Sequence, residues 1–254
     1  MNQDPATPRT QVTAVLGRAP SGVSIRPFLC EDEHARHLFV KPFGSLSVSL
    51  ISEWVAARLA RELGLPMPDV DLVDVPADLC RAAGHADLKP GPAFASISLG
   101  PGAADLQPRD LGRIQPGILA ETLVFDAWIR NADRILGPVV GNPNAMMVSP
   151  GSRFFLIDHD NAFDPQWEPG TMHQLHFARR QAAHWLDCGH RADWLVRARN
   201  AFDKFDVFWQ ELPREWVEAA QESNPAFRSR VLDILCLPFD SPQTFWMLFH
   251  PNSP

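Results

Sequence analysis

FDAWIRNADRILGPVVGNPNAMMVSPGSRFFLIDHDNAF, residues 125–163, is the stretch on which the rest of the chain is read. A helix ends near Asn131, and Asp133-Arg134 open a loop. Asn144 then leads into a short apolar strand, Ala145–Val148. Pro150-Gly151 make a turn, and a second strand, 154–157, delivers Asp158. A carboxylate followed by an amide and a second carboxylate suits magnesium-dependent phosphoryl transfer. The first group orients the attacking hydroxyl, and the other two hold metal on the nucleotide phosphates. The same letters also read as an ordinary hairpin with an aspartate in the loop after it.

Toward the N-terminus the pattern is β-like. Residues 12–16 form a strand, 17–22 a turn, 23–30 a second strand, Glu31-Asp32-Glu33 a turn, and His37–Pro42 a third strand, giving an antiparallel meander. Apolar residues at 50, 51, 54, 55, 59 and 63 have helical spacing over 48–63, with Gly64 as a stop and Pro66 and Pro68 preventing continuation. Val70–Val75 and 94–99 read as strands, with loop and a short helical piece over 76–92. Gly100-Pro101-Gly102 breaks the chain. Beyond it, 117–131 is a helix apolar on all sides, hence buried. Further helices fall near 173–187, 190–203, 205–211, 213–222, 226–236 and 241–249. The expected architecture is α+β and bilobal, protein-kinase-like. It has a flexible segment 1–10, a β-rich N-lobe 11–100 and a mostly helical C-lobe 101–254.

Lysine occurs only at 41, 89 and 204, and Lys41 lies inside the third strand. A nucleotide site needs a cation over the phosphates, and a lysine on a rigid strand supplies one, with Glu53 on the next helix as its brace. A solvated edge charge and a solvated helix residue are the alternatives. The turn holding Gly17, Ser21 and Gly22 could cover phosphates with backbone N–H groups, or simply connect two strands. Ser96 on the strand after residue 93 completes the candidate nucleotide-binding residues.

Composition excludes several classes. The chain has 254 residues, with 45% hydrophobic and 21% charged, as in ordinary globular proteins. A formal charge of −7 argues against general nucleic-acid binding. Cys30, Cys80, Cys188 and Cys236 lack zinc-ligand or C-x-x-C spacing, and Cys30 and Cys236 sit in apolar runs as buried thiols. Asp158-His159-Asp160-Asn161 fails as an EF-hand, since Phe163 and Pro169 fall where glycine and glutamate are needed. His173 and His176 read as surface or internally bonded residues. G-x-S-x-G and H-E-x-x-H are absent. Without a signal peptide or a membrane-length apolar run, the expected location is a reduced cytoplasm.

HLFVKPFG, SEWVAARLARELGLPMPDV, FDAWIRNADR, GNPNAMMV and FLIDHDNAF together resemble the HipA-like kinases, clearly over 12–165 and more loosely beyond. The resemblance implies a fold related to protein and phosphatidylinositol kinases and the use of ATP and magnesium. The best-known members are serine/threonine kinases of bacterial toxin–antitoxin systems. By carry-over, Asp133 is the catalytic carboxylate, and Lys41 contacts phosphates with Glu53 bracing it. Asn144, or the neighbouring Asn142, binds metal together with Asp158. The expected activity is transfer of phosphate to a protein serine or threonine. A nucleotide- or partner-binding pseudokinase and a small-molecule kinase remain the alternatives.

Two departures stand out. Ile135-Leu136-Gly137-Pro138-Val139-Val140-Gly141 lengthens the loop between Asp133 and Asn144. It is expected to be an exposed, mobile loop over the cleft that meets a protein substrate or partner, with core packing as the alternative. The first kinase-like strand also comes early, so the extra N-terminal subdomain of full-length HipA toxins is not expected, and a DNA-binding antitoxin partner is not assumed.

Overall fold

The computed structural model describes residues 9–19, 26–43, 47–136 and 141–249, and the chain forms two compact units. The first, Met1–Leu50 with Pro68–Ser98, is built on five strands: β1 (Thr10–Arg18), β2 (Phe28–Asp32), β3 (His37–Pro42), β4 (Val70–Val75) and β5 (Gly91–Ile97). They close into a barrel in the order β1-β2-β3-β5-β4. The expected meander holds for β1–β3. β5 then inserts between β3 and β4, and a parallel pairing of Thr10 with Val73 and Gln11 with Asp74 shuts the cylinder. Closure leaves no open edge.

Alternation sets which side chains fill it. Val12, Phe28, Cys30, Leu38, Val40, Val73, Ala93 and Ala95 pack together inside. Burial pushes the Cys30 thiol up to about 12, so it is an inert core group. Cys236, expected to be buried, is only partly so. The turn expected at 31–33 starts later, because Glu31 and Asp32 still belong to β2. Asp32 is buried and accepts from the backbone N–H groups of His34 and Arg36 and from Arg36 Nε at 2.7 Å, which fastens the β2–β3 hairpin. Gly17, expected in a turn, lies within β1 opposite Leu29. A helix, α1 (Ser47–Glu62), follows β3, and α2 (Ala77–Ala83) is the short helical piece expected within 76–92.

The second unit, Ile51–Met67 with Leu99–Pro254, takes in most of α1. It contains an antiparallel sheet of β6 (Ala103–Asp105), β7 (Ala145–Val148) and β8 (Arg153–Leu156). β6 was not legible as a strand in the sequence. The helices are α3 (Pro116–Trp128), α4 (Pro169–Leu175), α5 (Cys188–Phe202), α6 (Phe205–Gln210), α7 (Arg214–Ser223), α8 (Phe227–Asp240) and α9 (Pro242–Met247). The single helix expected over 173–187 is instead α4, starting earlier at Pro169, and a separate 3-10 helix, Arg179–Leu186. The chain is extended at His176 between them. α8 runs through Pro238, which tertiary packing tolerates despite the lost N–H.

α3 is buried from Leu119 onward except at Glu121, as its apolar circumference requires. Around it lies an aromatic cluster. Trp194 stacks on Phe245 at 5.5 Å and meets Trp128 edge-on at 5.4 Å, while Trp185 stacks on Trp246 at 5.7 Å. Indole N–H groups of Trp128 and Trp185 donate to the carbonyls of Leu235 and Ala120. α1 is tied to α6 and its flanks: Trp54 Nε1 donates to Phe208 O at 3.0 Å, and Arg58 and Glu62 form ion pairs with Glu211 and Lys204.

Candidate active site

Asp133 sits in the loop after α3, and two amides converge on one of its oxygens. Asn144 Nδ2 donates to Asp133 Oδ2 at 2.8 Å and also to the Asp133 carbonyl at 3.1 Å. Asn161 Nδ2 donates to the same Oδ2 at 2.9 Å. The Asp133 N–H is held by Asn131 Oδ1 at 3.3 Å. Burial raises the Asp133 pKa above the usual carboxylate value, and the charge of Asp158 adds to that. The Asn161 and Asn144 bonds, with Arg134 nearby, oppose the rise without cancelling it. A carboxylate poised upward in this way is suited to taking a proton.

Beneath Asp133 lies a buried polar hub. Asp126 and Arg134 are both fully buried, and Arg134 Nε meets Asp126 Oδ2 at 2.7 Å. One terminal Arg134 nitrogen donates to the carbonyls of Asn144 and Ile157, the residues that open β7 and follow β8. The other donates to His159 Nε2 at 2.5 Å, which places that ring's proton on Nδ1 if the ring is neutral. Asp126 also accepts from Asn131 Nδ2 at 3.0 Å and from His176 Nε2 at 2.9 Å, and His176 Nδ1 accepts the N–H of Ala178. Burial alone would raise the Asp126 carboxyl, but Arg134 and His176 hold it below the usual range. One arginine thus fixes the loop, both strand ends and the turn after β8 in a single arrangement. The other histidine read from the sequence, His173, bonds the Leu248 carbonyl.

A second group of oxygens follows from β8. Asp158, Asp160 and Glu53 each place an oxygen within 4.8 Å of the others. Glu53, only 2% exposed, accepts the His159 N–H at 3.0 Å, so it is not a solvated helix residue. Asn144 and Asp158 both have left-handed backbones, with φ of 43° and 56°, a conformation Asn and Asp tolerate better than most residues. An all-oxygen donor set of this kind fits a hard divalent cation such as magnesium and not zinc. Asn142 bonds the Ile135 N–H through its carbonyl, whereas Asn144 reaches Asp133 with its side chain. Of the four branched apolar residues in the long loop, Ile135 and Leu136 are half-buried, and Ile135 forms a β-bridge with His176. Gly137, Val139 and Val140 lie outside the described residues.

In the first unit, β3 runs between β2 and β5, so Lys41 is not on an edge strand, and it is only 6% exposed. Leu38 and Val40 point into the barrel, so Lys41 belongs to the outer face, opposite Phe94 of β5. Gly17, Leu29, Phe39 and Ser96 form one cross-strand row next to it. Register therefore puts Lys41, Ser96 and Gly17 on one face of the barrel, with Lys41 two residues along the strand from the row that holds the other two. Ser21 and Gly22 lie outside the described residues.

Sequence reading missed Asp126, Arg134, Asp160 and Asn161 as parts of this arrangement. A charged residue within the buried, largely apolar second half of α3 was the one available signal for Asp126. A cleft in the second unit lined by Pro66, Gln115, Glu121, His184 and Arg197 contains none of the candidate residues. Among the described residues no helix is long and apolar enough to cross a membrane.

Comparison with known proteins bears on the whole chain. The family model described as HipA-like kinase matches residues 12–248. No curated protein matches. Among solved structures, the crystal structure of the Golgi casein kinase is similar at 11% identity and a TM-score of 0.40, covering 97% of this chain and 74% of that one.

Proposed function

We propose, from the premise that this chain belongs to the HipA-like kinase family, that it moves the γ-phosphoryl group of ATP to the hydroxyl of a protein serine or threonine. The observation that carries this reading is Asp133. Its carboxylate is anchored through Oδ2 by Asn144 and Asn161, and burial tunes it toward accepting a proton. In the proposed step, the acceptor oxygen bonds to the γ-phosphorus as its proton passes to Asp133. The bond from phosphorus to the bridging oxygen breaks, and its electron pair leaves with ADP.

Magnesium, when bound, would neutralise charge on the phosphate oxygens. Asp158 and Asn144 would hold it, with Asp160 as the further carboxylate within reach. Lys41, with Ser96 and Gly17 on the same barrel face, would supply the remaining positive charge and backbone contacts to the phosphates. The two-lobe reading assigns the barrel to nucleotide binding and the second unit to catalysis. Despite the lengthened loop between them, Asn144 still reaches Asp133 at 2.8 Å, which favours transfer over a pseudokinase.

Radiolabelled ATP with magnesium, offered with a degenerate serine/threonine peptide library, tests the proposal. Label in the peptides with wild type and none with Asp133→Ala is the expected result. Tight ATP binding with no transfer by wild type would refute it.

A further inference from the structure

Asn161 is an exposed residue of the turn that follows Asp158, yet its side chain returns 28 positions along the chain to Asp133. It donates to Oδ2, the oxygen that Asn144 also binds. No described residue donates to Asp133 Oδ1. A carboxylate gripped at one oxygen by two donors from different segments cannot rotate about its terminal bond without breaking both. Its other oxygen is then presented in one direction.

The buried donor and the exposed donor differ in what they can do. Asn144 is buried and is also bonded to the Asp133 carbonyl, so it belongs to the loop's internal framework. Asn161 is exposed and makes this one side-chain bond among the described residues. An exposed amide with its own Oδ1 open, beside the oxygen that receives the proton, lies where an incoming hydroxyl must pass.

We infer that Asn161 is a positioning residue for phosphoryl transfer: with Asn144 it locks Asp133 so that Oδ1 faces the acceptor hydroxyl, and it forms the rim over which that acceptor enters. The inference rests on the reading of Asp133 as the proton acceptor. It makes no claim on ATP or metal binding, since Asn161 touches neither Asp158 nor Glu53 through any bond described above.

Asn161→Leu keeps the approximate side-chain volume and removes the donor. Turnover should fall about tenfold, the equivalent of one hydrogen bond to a charged group. The KM for ATP and the calorimetric affinity for magnesium-ATP should not change. Because Asn161 acts through Asp133, adding Asn161→Leu to Asp133→Asn should cause no further loss in residual turnover.

A crystal structure of Asn161→Leu provides a readout independent of activity, and the expected result is an Asp133 carboxylate in more than one orientation. An unchanged single orientation overturns the proposal whether or not the wild type turns over. Wild-type kcat in the variant, or a loss that multiplies fully with that of Asp133→Asn, overturns it while leaving the phosphotransferase reading intact. An inactive wild type refutes the phosphotransferase reading, and the crystal structure still decides the locking of Asp133. Asn161→Ala serves the same measurements if leucine disturbs folding.

Discussion

Two regions of the second unit are held together in opposite ways. Around Arg134, buried charges and amides converge on Asp126, His159, His176 and the carbonyls of Asn144 and Ile157. Around Trp194, rings from α3, the 3-10 helix, α5 and α9 pack with few polar contacts. The indole nitrogen of Trp194 has no hydrogen-bond partner among the described residues, and in the Arg134 hub Arg134 Nε meets Asp126 Oδ2 as an ion pair at 2.7 Å without hydrogen-bond alignment. Apolar burial is non-directional, and the stacked or edge-on preference of ring pairs adds only about 0.5–1.5 kcal/mol to it. A buried ion pair with directed bonds is satisfied in very few, and it adds little net stability once desolvation is counted. The contrast teaches that the aromatic region supplies stability, while the Arg134 region specifies where Asp133 and the strand ends lie.

The largest effect should come from breaking the hub. Arg134→Met leaves Asp126 buried without its cation and should cost about 3–5 kcal/mol in urea denaturation. It should also abolish turnover in whatever fraction folds, because the strand ends are released. Asp133→Ala separates the two properties. Turnover should drop about 10²- to 10⁴-fold, while stability falls by no more than about 1 kcal/mol, since buried Asn144 loses the carboxylate but keeps its bond to the backbone carbonyl of residue 133. Trp194→Ala is the reverse case. It should lose about 3–5 kcal/mol by denaturation and keep wild-type turnover per folded molecule. If Trp194→Ala abolishes turnover in fully folded protein, the division of labour between the regions is wrong.

pH sharpens the same comparison. The folded pKa of Asp126 is held below its unfolded value, so its contribution is fully present above about pH 4 and disappears as pH falls through the folded value. Thermal melts of wild type should therefore show a steep acid limb below about pH 4, and Arg134→Met should show a shallower one. Asp133 runs the other way. Its raised pKa makes the ionised form unfavourable to the fold at neutral pH, an effect relieved on acidification. The smallest effect belongs to the surface. Arg58 lies over the Trp54 and Phe208 rings and pairs with Glu211, partly exposed, so Arg58→Met should cost about 0.5–1 kcal/mol.

Where the sequence could be read, the information was local. His37–Pro42, Val70–Val75 and Ala145–Val148 are strands with the bounds their alternation and branching indicate, and α1 lies within a residue of its apolar periodicity. The ordered appearance of Asp133, Asn144 and Asp158 was also legible, because each stands beside a turn or strand signal. The 173–187 region failed because α4 and the following 3-10 helix share one helical pattern. Only tertiary contacts at His176, which bonds Asp126 and bridges Ile135, separate them.

From sequence alone come the α+β class, most strands and helices, the family resemblance and the residue types proposed for chemistry. These depend on backbone preference and on which face of an element is apolar, properties that neighbouring residues encode. Tertiary structure alone decided the closing of the barrel through Thr10 and Val73, the convergence of five groups on the Arg134–Asp126 pair, and the return of Asn161 to Asp133. Those contacts join residues far apart in the chain, and their geometry exists only once packing has brought the segments together.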